Sequence, residues 1–252
     1  MAFLNILPSP SFKVLPSGIQ NASGDAGPGY ASVRLESDSK TMRNRTNSGR
    51  YTSRTAAYQF WKISINYNPM TREEFMPVYS FILEKQGGLK PFFVSLPQYE
   101  EPTDSQFLAF AGRNELSPTA TINEGSTNAV VTTGSYNPAG TTNDGIPEPG
   151  NLFFFDDSNN SNHLKTYMVT RVERTADNEL GDPGANHIRL HFHPPLAKSV
   201  STSTDLIFSK SGSGAGPLGA GPLIKVVAKD MQSYSLGTDN LYNFSLSLEE
   251  VQ

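Results

Sequence analysis

Apolar side chains recur at every second position in several short runs of this 252-residue chain, and at helical spacing in one. In GYASVRLE, Ala31, Val33 and Leu35 alternate with small or polar neighbours, the period of a strand with one buried face. In AAYQFWKISINYN, Trp61, Ile63, Ile65 and Tyr67 share one face while Lys62, Ser64 and Asn66 share the other. Between these two strands SKTMRNRTNSGRYTSR carries Lys40, Arg43, Arg45, Arg50 and Arg54 and no acid, and reads as a polar loop at the tip of a long basic hairpin arm.

The helical stretch is TREEFMPVYSFILEKQGG. Thr71 is placed as N-cap with Glu74 three residues on, the spacing of a capping box, and Met70 and Phe75 are placed as a hydrophobic staple. Phe75, Val78, Tyr79, Ile82 and Leu83 form one apolar stripe, and Gly87 or Gly88 supplies the left-handed residue that ends the helix. Pro77 removes a hydrogen bond to the carbonyl of Glu73 and predicts a kink near the start. KPFFVSLPQY follows as a short buried strand stopped by Pro97, which completes a strand, helix, strand unit over about 57–99.

From 103 to 150 the chain turns to Ser, Thr, Asn, Gly and Pro, and predicts loops and short edge strands around FLAF at 107–110 and AVV at 129–131. Three β segments follow, at 151–155, 165–173 and 187–196, separated by the turn-rich DDSNNSN and TADNELGDPGAN, as in a small barrel or sandwich. The Gly-rich run at 209–223 reads as a flexible connector. In the closing LYNFSLSLEEV, Tyr242, Phe244, Leu246 and Leu248 alternate with Asn243, Ser245 and Ser247, so a last strand is expected to return to the first sheet. The expected architecture is mainly β: a β-sandwich or barrel with one α-helix at 1–102 and 222–252, and an inserted small β-barrel at 103–221.

Composition sharpens this picture. Charged residues make up 17% of the chain against roughly 25% in an average globular domain, and 21 Gly and 18 Pro favour turns over long helices. A formal charge of −4 gives no reason to expect nucleic acid or an anionic membrane as partner. With no Cys, disulfides, thiolate nucleophiles and sulfur-ligated zinc are excluded. MAFLNILPSPSF lacks the basic and continuous apolar regions of a secretory signal and is taken as part of the fold. No run approaches the ~18 apolar residues of a membrane-spanning helix, so a soluble protein without membrane anchor is expected.

Candidate chemistry is sparse. His187, His191 and His193 fall on one face of a strand with Arg189, and His191 and His193 are spaced about 6.6 Å apart, close enough for two imidazoles to meet one metal ion. Surface or interface histidines, or a pH-sensitive contact, are the competing readings. The acid pairs Glu73 and Glu74, Glu100 and Glu101, Asp156 and Asp157, and Glu249 and Glu250 invite a carboxylate mechanism, but adjacent acids point to opposite sides of a strand. Neither a nucleophile elbow nor a phosphate-binding Gly loop leading into a helix is present, and no cofactor is expected. Phe153, Phe154 and Phe155 suit a barrel core, and one Trp on an apolar face gives little support to sugar stacking.

Three stretches, in order, resemble the tail-tip and baseplate proteins of tailed bacteriophages, the group of distal-tail, tail-hub and minor tail proteins with a tail-tube-like fold. They are FWKISINYNPMTREEFMPVYSFILEKQGGLKPFFVSLPQY, then PGNLFFF through TYMVTRVE to HIRLHFHPPLAKSV, then LYNFSLSLEEV. Pro77 and the Ser/Thr/Asn-rich region at 111–149 depart from the pattern. The resemblance implies a non-enzymatic virion component, made in the host cytoplasm. In the tail tip or baseplate it would form a homo-oligomeric ring, hexameric or trimeric, that caps or extends the tube and docks tube, hub, fibre or wedge proteins. A ring of this kind needs two complementary patches per subunit. Arg43, Arg45, Arg50 and Arg54 are candidates for one, and Glu100, Glu101 and Asp104, with Glu249 and Glu250, for the other; the plain alternative for the arm is a solvated loop. The competing functions are a glycan-binding host-recognition module and a cell-wall or polysaccharide hydrolase.

Overall fold

The computed structural model describes residues 5–14, 20–21, 26–132, 145–156, 163–174, 179–184, 186–210, 221–229 and 233–251. In chain order, β1 (Lys13–Val14) and β2 (Gln20–Asn21) form a small ribbon. They are followed by β3 (Tyr30–Arg45), β4 (Tyr51–Tyr67), α1 (Arg72–Glu84), β5 (Phe92–Ser95) and α2 (Ser105–Ala109). Next come β6 (Ser117–Pro118), β7 (Asn128–Thr132), β8 (Leu152–Asp156), β9 (Thr166–Glu173), β10 (His187–His193) and β11 (Asp205–Ile207). The chain closes with β12 (Leu223–Ala228), β13 (Tyr234–Leu236) and β14 (Tyr242–Glu250).

The first sheet runs β3-β4-β14-β12-β5, with β13 added beside β14 and every strand pair antiparallel. The last strand of the chain therefore lies in the middle of this sheet, between β4 and β12. Alternation decides which side is covered. Trp61, Ile63, Ile65 and Tyr67 of β4 and Phe244, Leu246 and Leu248 of β14 are buried in one cluster with Phe75, Val78 and Ile82 of α1. Phe75 is fully buried and stacks on Tyr242 at 4.5 Å, with Tyr79, Tyr234 and Phe244 within 5.6 Å between centroids. Such ring contacts add to the area each side chain removes from water.

α1 starts where the sequence places it. The Thr71 backbone N–H donates to Glu74 Oε2 at 2.9 Å, so the carboxylate satisfies a donor the first turn leaves free. Pro77 sits inside the helix without ending it. Leu83, expected on the apolar stripe, is 59% exposed; the stripe narrows to Phe75, Val78 and Ile82, with Tyr79 half-buried. The left-handed exit begins one residue early, at Gln86, and continues through Gly87 and Gly88. At Gly88 a Cβ would stand 2.5 Å from the carbonyl oxygen of Ala228, so only glycine fits this close approach to β12.

The second sheet runs β11-β8-β9-β10-β7-β6 and is nearly closed, because Leu116, next to β6, bridges Leu206 in β11. Its interior holds Phe153, Phe155, Tyr167, Val169, Ile188, Leu190, Phe192 and Phe208, so two of the three Phe of β8 are barrel core, while Phe154 is buried outside that cluster. AVV at 129–131, expected on an edge, lies in β7 between β10 and β6. FLAF becomes the end of a second, five-residue helix, because Asp104 accepts from the backbone N–H groups of Gln106 and Phe107 and caps it. Residues 1–4, most of the DDSNNSN turn and residues 211–220 of the Gly-rich run lie outside the described residues.

Replacing Phe75 by Ala should remove the centre of the first core and cost about 3–5 kcal/mol. Urea unfolding is expected to show a lower midpoint while the far-UV circular dichroism of the native state is unchanged.

Candidate functional site

The polar loop of the sequence pattern is strand almost to its tip. β3 and β4 stay paired out to Arg45 opposite Tyr51, and only residues 46–50 turn, with Gly49 at φ 82°. Opposed residues in an antiparallel pair share a face. Arg43 and Arg45 therefore project on the side of Ser53 and Tyr51, and Arg54 projects with Met42 on the other. Arg50 stands at the turn. All four arginines are exposed, as are Met42 at 72% and Tyr51 at 73%. The Arg45 guanidinium lies over the Tyr51 ring at 5.5 Å. Since no acid occurs between Asp38 and Glu73, the arm carries only positive charge.

The acids proposed to complement it have internal duties. Glu100 is 2% exposed and accepts from Ser11 Oγ at 2.7 Å, Ser95 Oγ at 2.7 Å and Lys210 Nζ at 2.5 Å. It fastens the N-terminal segment and residue 210 to the end of β5, and presents no carboxylate at the surface. Glu101 accepts from the Ser209 hydroxyl. Asp104 caps α2 and also takes the Gly145 N–H at 2.5 Å. Burial works to raise its pKa, but the N–H groups of Gly145, Gln106 and Phe107 outweigh it and hold the carboxyl below its ordinary value.

The histidines do not converge on one point. His191 Nε2 lies 3.0 Å from Glu173 Oε1, whereas His193 Nε2 lies 3.0 Å from Ser37 Oγ on the arm strand. A bulge in the pairing of β10 with β9 falls between His191 and Phe192. Glu173 is also bound by Arg189 Nη1 at 2.9 Å and by Arg171. Burial alone would raise its pKa; these cationic partners lower it. Arg171 bonds Glu179 as well, at 2.7 Å, along an open cleft of about 430 Å³ lined further by Arg174, Glu148, Pro147 and Pro149. Among the described residues no group of three or more His, Asp or Glu could hold a metal ion.

The constellation the sequence reading overlooks lies beneath the arm, where the two sheets meet. Lys165, just before β9, donates to Glu250 Oε2 of β14 at 2.5 Å and to the Gln59 carbonyl of β4 at 2.8 Å. Their side chains are 3% and 1% exposed. The Trp61 backbone N–H also donates to Glu250 Oε2, at 2.9 Å. Its indole Nε1 donates to the Thr166 carbonyl at 2.9 Å, and Thr166 Oγ1 to the Leu223 carbonyl at 2.7 Å. Burial lowers the Lys165 pKa and raises that of Glu250, and each partner's opposite charge only partly offsets this. Parity was the available signal: Glu250 continues the series 242, 244, 246, 248 onto the buried face, and Lys165 shares the face of Tyr167 and Val169.

Residues 15–99 match the family model described as distal tail protein pb9, A domain, N-terminal. The matched span holds the arm, α1 and β5, and includes the first of the three stretches that carry the resemblance to tail-tip proteins. No curated protein matches the chain.

Replacing Lys165 by Met leaves Glu250 buried without its counter-charge and should cost about 3–5 kcal/mol at neutral pH. Adding Glu250→Gln, whose amide oxygen can still accept the Trp61 N–H, is expected to recover at least half of that loss. Urea titrations followed by Trp61 fluorescence at pH 8 and pH 5 check both points. The single-variant penalty should shrink at the lower pH, because a Glu250 with raised pKa takes up a proton there.

Proposed function

We propose, from the premise that this chain is a structural protein of the phage distal tail and lies in the virion among other tail proteins, that it assembles through its basic arm into a ring of identical subunits. The ring, of six or three copies, caps or extends the tail tube and docks neighbouring tail proteins. The two parts of the subunit are a ring module, residues 1–102 with 222–252, and a barrel module, residues 103–221. No catalytic role is proposed for either.

The observation that carries this reading is the outer half of the β3–β4 hairpin. From residue 41 to residue 54 every side chain is exposed, on both faces and both strands. A two-stranded hairpin alone is marginally stable in water. Its four arginines, an exposed Met and an exposed Tyr suit a partner that offers carboxylates and some apolar surface. Copies related head to tail around an axis supply such a partner, because each presents a different patch to each neighbour. Glu100 is excluded from that patch by its burial, and Glu101 and Asp104 reach it only at their exposed edges; Glu84, Glu124 and Asp239 are exposed acids on the same chain. The uncovered face of the first sheet, with Ser64, Asn66, Ser245 and Ser247 exposed, suits the wall of a water-filled channel.

Reversing Arg43, Arg45 and Arg50 to Glu should abolish the ring and leave a folded monomer. Multi-angle light scattering would report the mass and thermal melting the integrity of the fold. Wild-type assembly is also expected to weaken between about 50 mM and 500 mM NaCl, as exposed charges are screened. A triple variant that assembles like the wild type removes the arm from the interface.

A further inference from the structure

Among the described residues eight large hydrophobic side chains stand exposed, and six of them fall in two places. Met42 and Tyr51 are on the outer half of the arm, while Met76, Leu83, Tyr234 and Leu236 lie together beside α1. Residues three or four apart are neighbours on a helix, so Met76, Tyr79 and Leu83 follow one another along one flank of α1. Tyr234 and Leu236 are two apart on β13 and point to the same side of the sheet. Tyr79 joins the two sets, with its ring centroid 5.3 Å from that of Tyr234. The opposite flank of α1 is taken up by the chain itself, since Glu73, Glu74, Pro77 and Val78 line a small cleft with Pro8 and Lys13. The flank with Leu83 is left to solvent, and an apolar patch of this kind marks a surface for a partner.

The arm offers the complement. Its register places Arg43, Arg45, Tyr51 and Ser53 on one face, an aromatic ring among guanidinium groups. On the flank, Glu84 directly follows Leu83, and Asp239 stands in the turn after Leu236. α1 and the 234–241 segment together hold four acids against one base, Arg72. Lys85, just past α1, is buried with its ammonium over the Phe81 ring and 3.5 Å from Glu84, whose side chain stays 59% exposed. The dimensions also agree: the five residue pairs from Thr41 opposite Thr55 to Arg45 opposite Tyr51 extend about 17 Å, and α1 about 20 Å. A subunit cannot make this contact with itself. The flank adjoins the Tyr67 end of β4, through the 5.9 Å contact of Tyr67 with Phe244, the register partner of Tyr234. Tyr51 is at the other end of that strand, about 50 Å away along it.

We infer that the Arg43, Arg45 and Tyr51 face of one subunit's arm docks on the Leu83, Tyr234 and Leu236 flank of a second copy of this chain. The inference rests on the ring reading above and names the surface that receives the arm. Tyr51 covers the apolar flank, and the two arginines face Glu84 and Asp239 at its rim, the division of labour between aromatic centre and charged border found at interfaces. The two patches differ and lie far apart on one subunit, so the contact is heterologous and repeats from copy to copy around an axis.

The chain has no Cys, so disulfide mapping starts from a clean background. Full-length protein carrying both Tyr51→Cys and Leu83→Cys should give a ladder of covalent oligomers on mild oxidation, because the bond forms only between Cα atoms within about 7 Å. Mixing the two single variants should give covalent dimers that neither gives alone. Tyr51→Cys combined with Leu180→Cys, an exposed site between β9 and β10, sets the level of chance collision, and the expected yield is roughly tenfold above it. Should Tyr51→Cys itself prevent assembly, Ser53→Cys on the same face replaces it. Protein that assembles by light scattering but cross-links no better than the Leu180→Cys control overturns this contact and leaves the ring with another surface for the arm, on a copy or on a different tail protein. A wild type that stays monomeric at every concentration overturns the ring reading and this contact together.

Discussion

The joint between the two sheets depends on a pair of opposite charges that have left water together. Lys165 and Glu250 are nearly inaccessible, and ions so placed are tolerable only when each is paired and further hydrogen-bonded. The Gln59 carbonyl, which accepts from Lys165, and the Trp61 N–H, which donates to Glu250, supply those bonds. A contact of this kind adds little net stability compared with an apolar isostere, but it is intolerant of misplacement. A small slide of the barrel across the first sheet would strand a charge in a dry environment, so the pair fixes one relative placement of β4, β9 and β14.

That placement organises what lies on either side. On the covered face of the first sheet, the aromatic cluster around Phe75 fixes α1 against β4 and β14. The same β4 then runs out past the joint as one strand of the arm. The arm is therefore rooted twice, by apolar packing through Ile63 and Ile65 and by polar bonding through Gln59 and Ser37. Its outer half, residues 41–54, is held by the pairing of its own two strands and by local bonds such as Thr52 Oγ1 to the Asn44 carbonyl, with every side chain exposed.

Much of this could be read from the residues. Period-two alternation located β4 and β14 and assigned their buried faces, and the Thr71 and Glu74 pair located the start of α1. What could not be read was long-range. Leu83 obeys helical spacing but falls beyond the area that the sheet covers. The Ser/Thr/Asn-rich region gave weak signals because its strands are short and its helix is only a capped turn and a half. Glu100 looked like one of a surface pair of acids, and only the fold brings Ser11, Ser95 and Lys210 around it. The arm was recognised by its composition, but its strands were mistaken for loop, since a hairpin exposed on both faces has no apolar alternation to show. The joint itself left a faint trace, a Lys and a Glu at positions whose parity points inward.

The two sheets treat their borders differently. The barrel brings its ends together through Leu116 and Leu206, and the β5 border is bordered by the Asn5–Leu7 segment, whose backbone bonds Phe93 on both sides. Among the described residues no strand lies along the outer side of β3, a span of 16 residues. An open strand edge can template the addition of an extended chain. Arg34, Glu36, Asp38, Arg43 and Arg45 stud this margin with charge of both signs, so a stray strand meets repulsion at some point along its length. Charge on an exposed margin is a general means of keeping extended chains from pairing there indiscriminately.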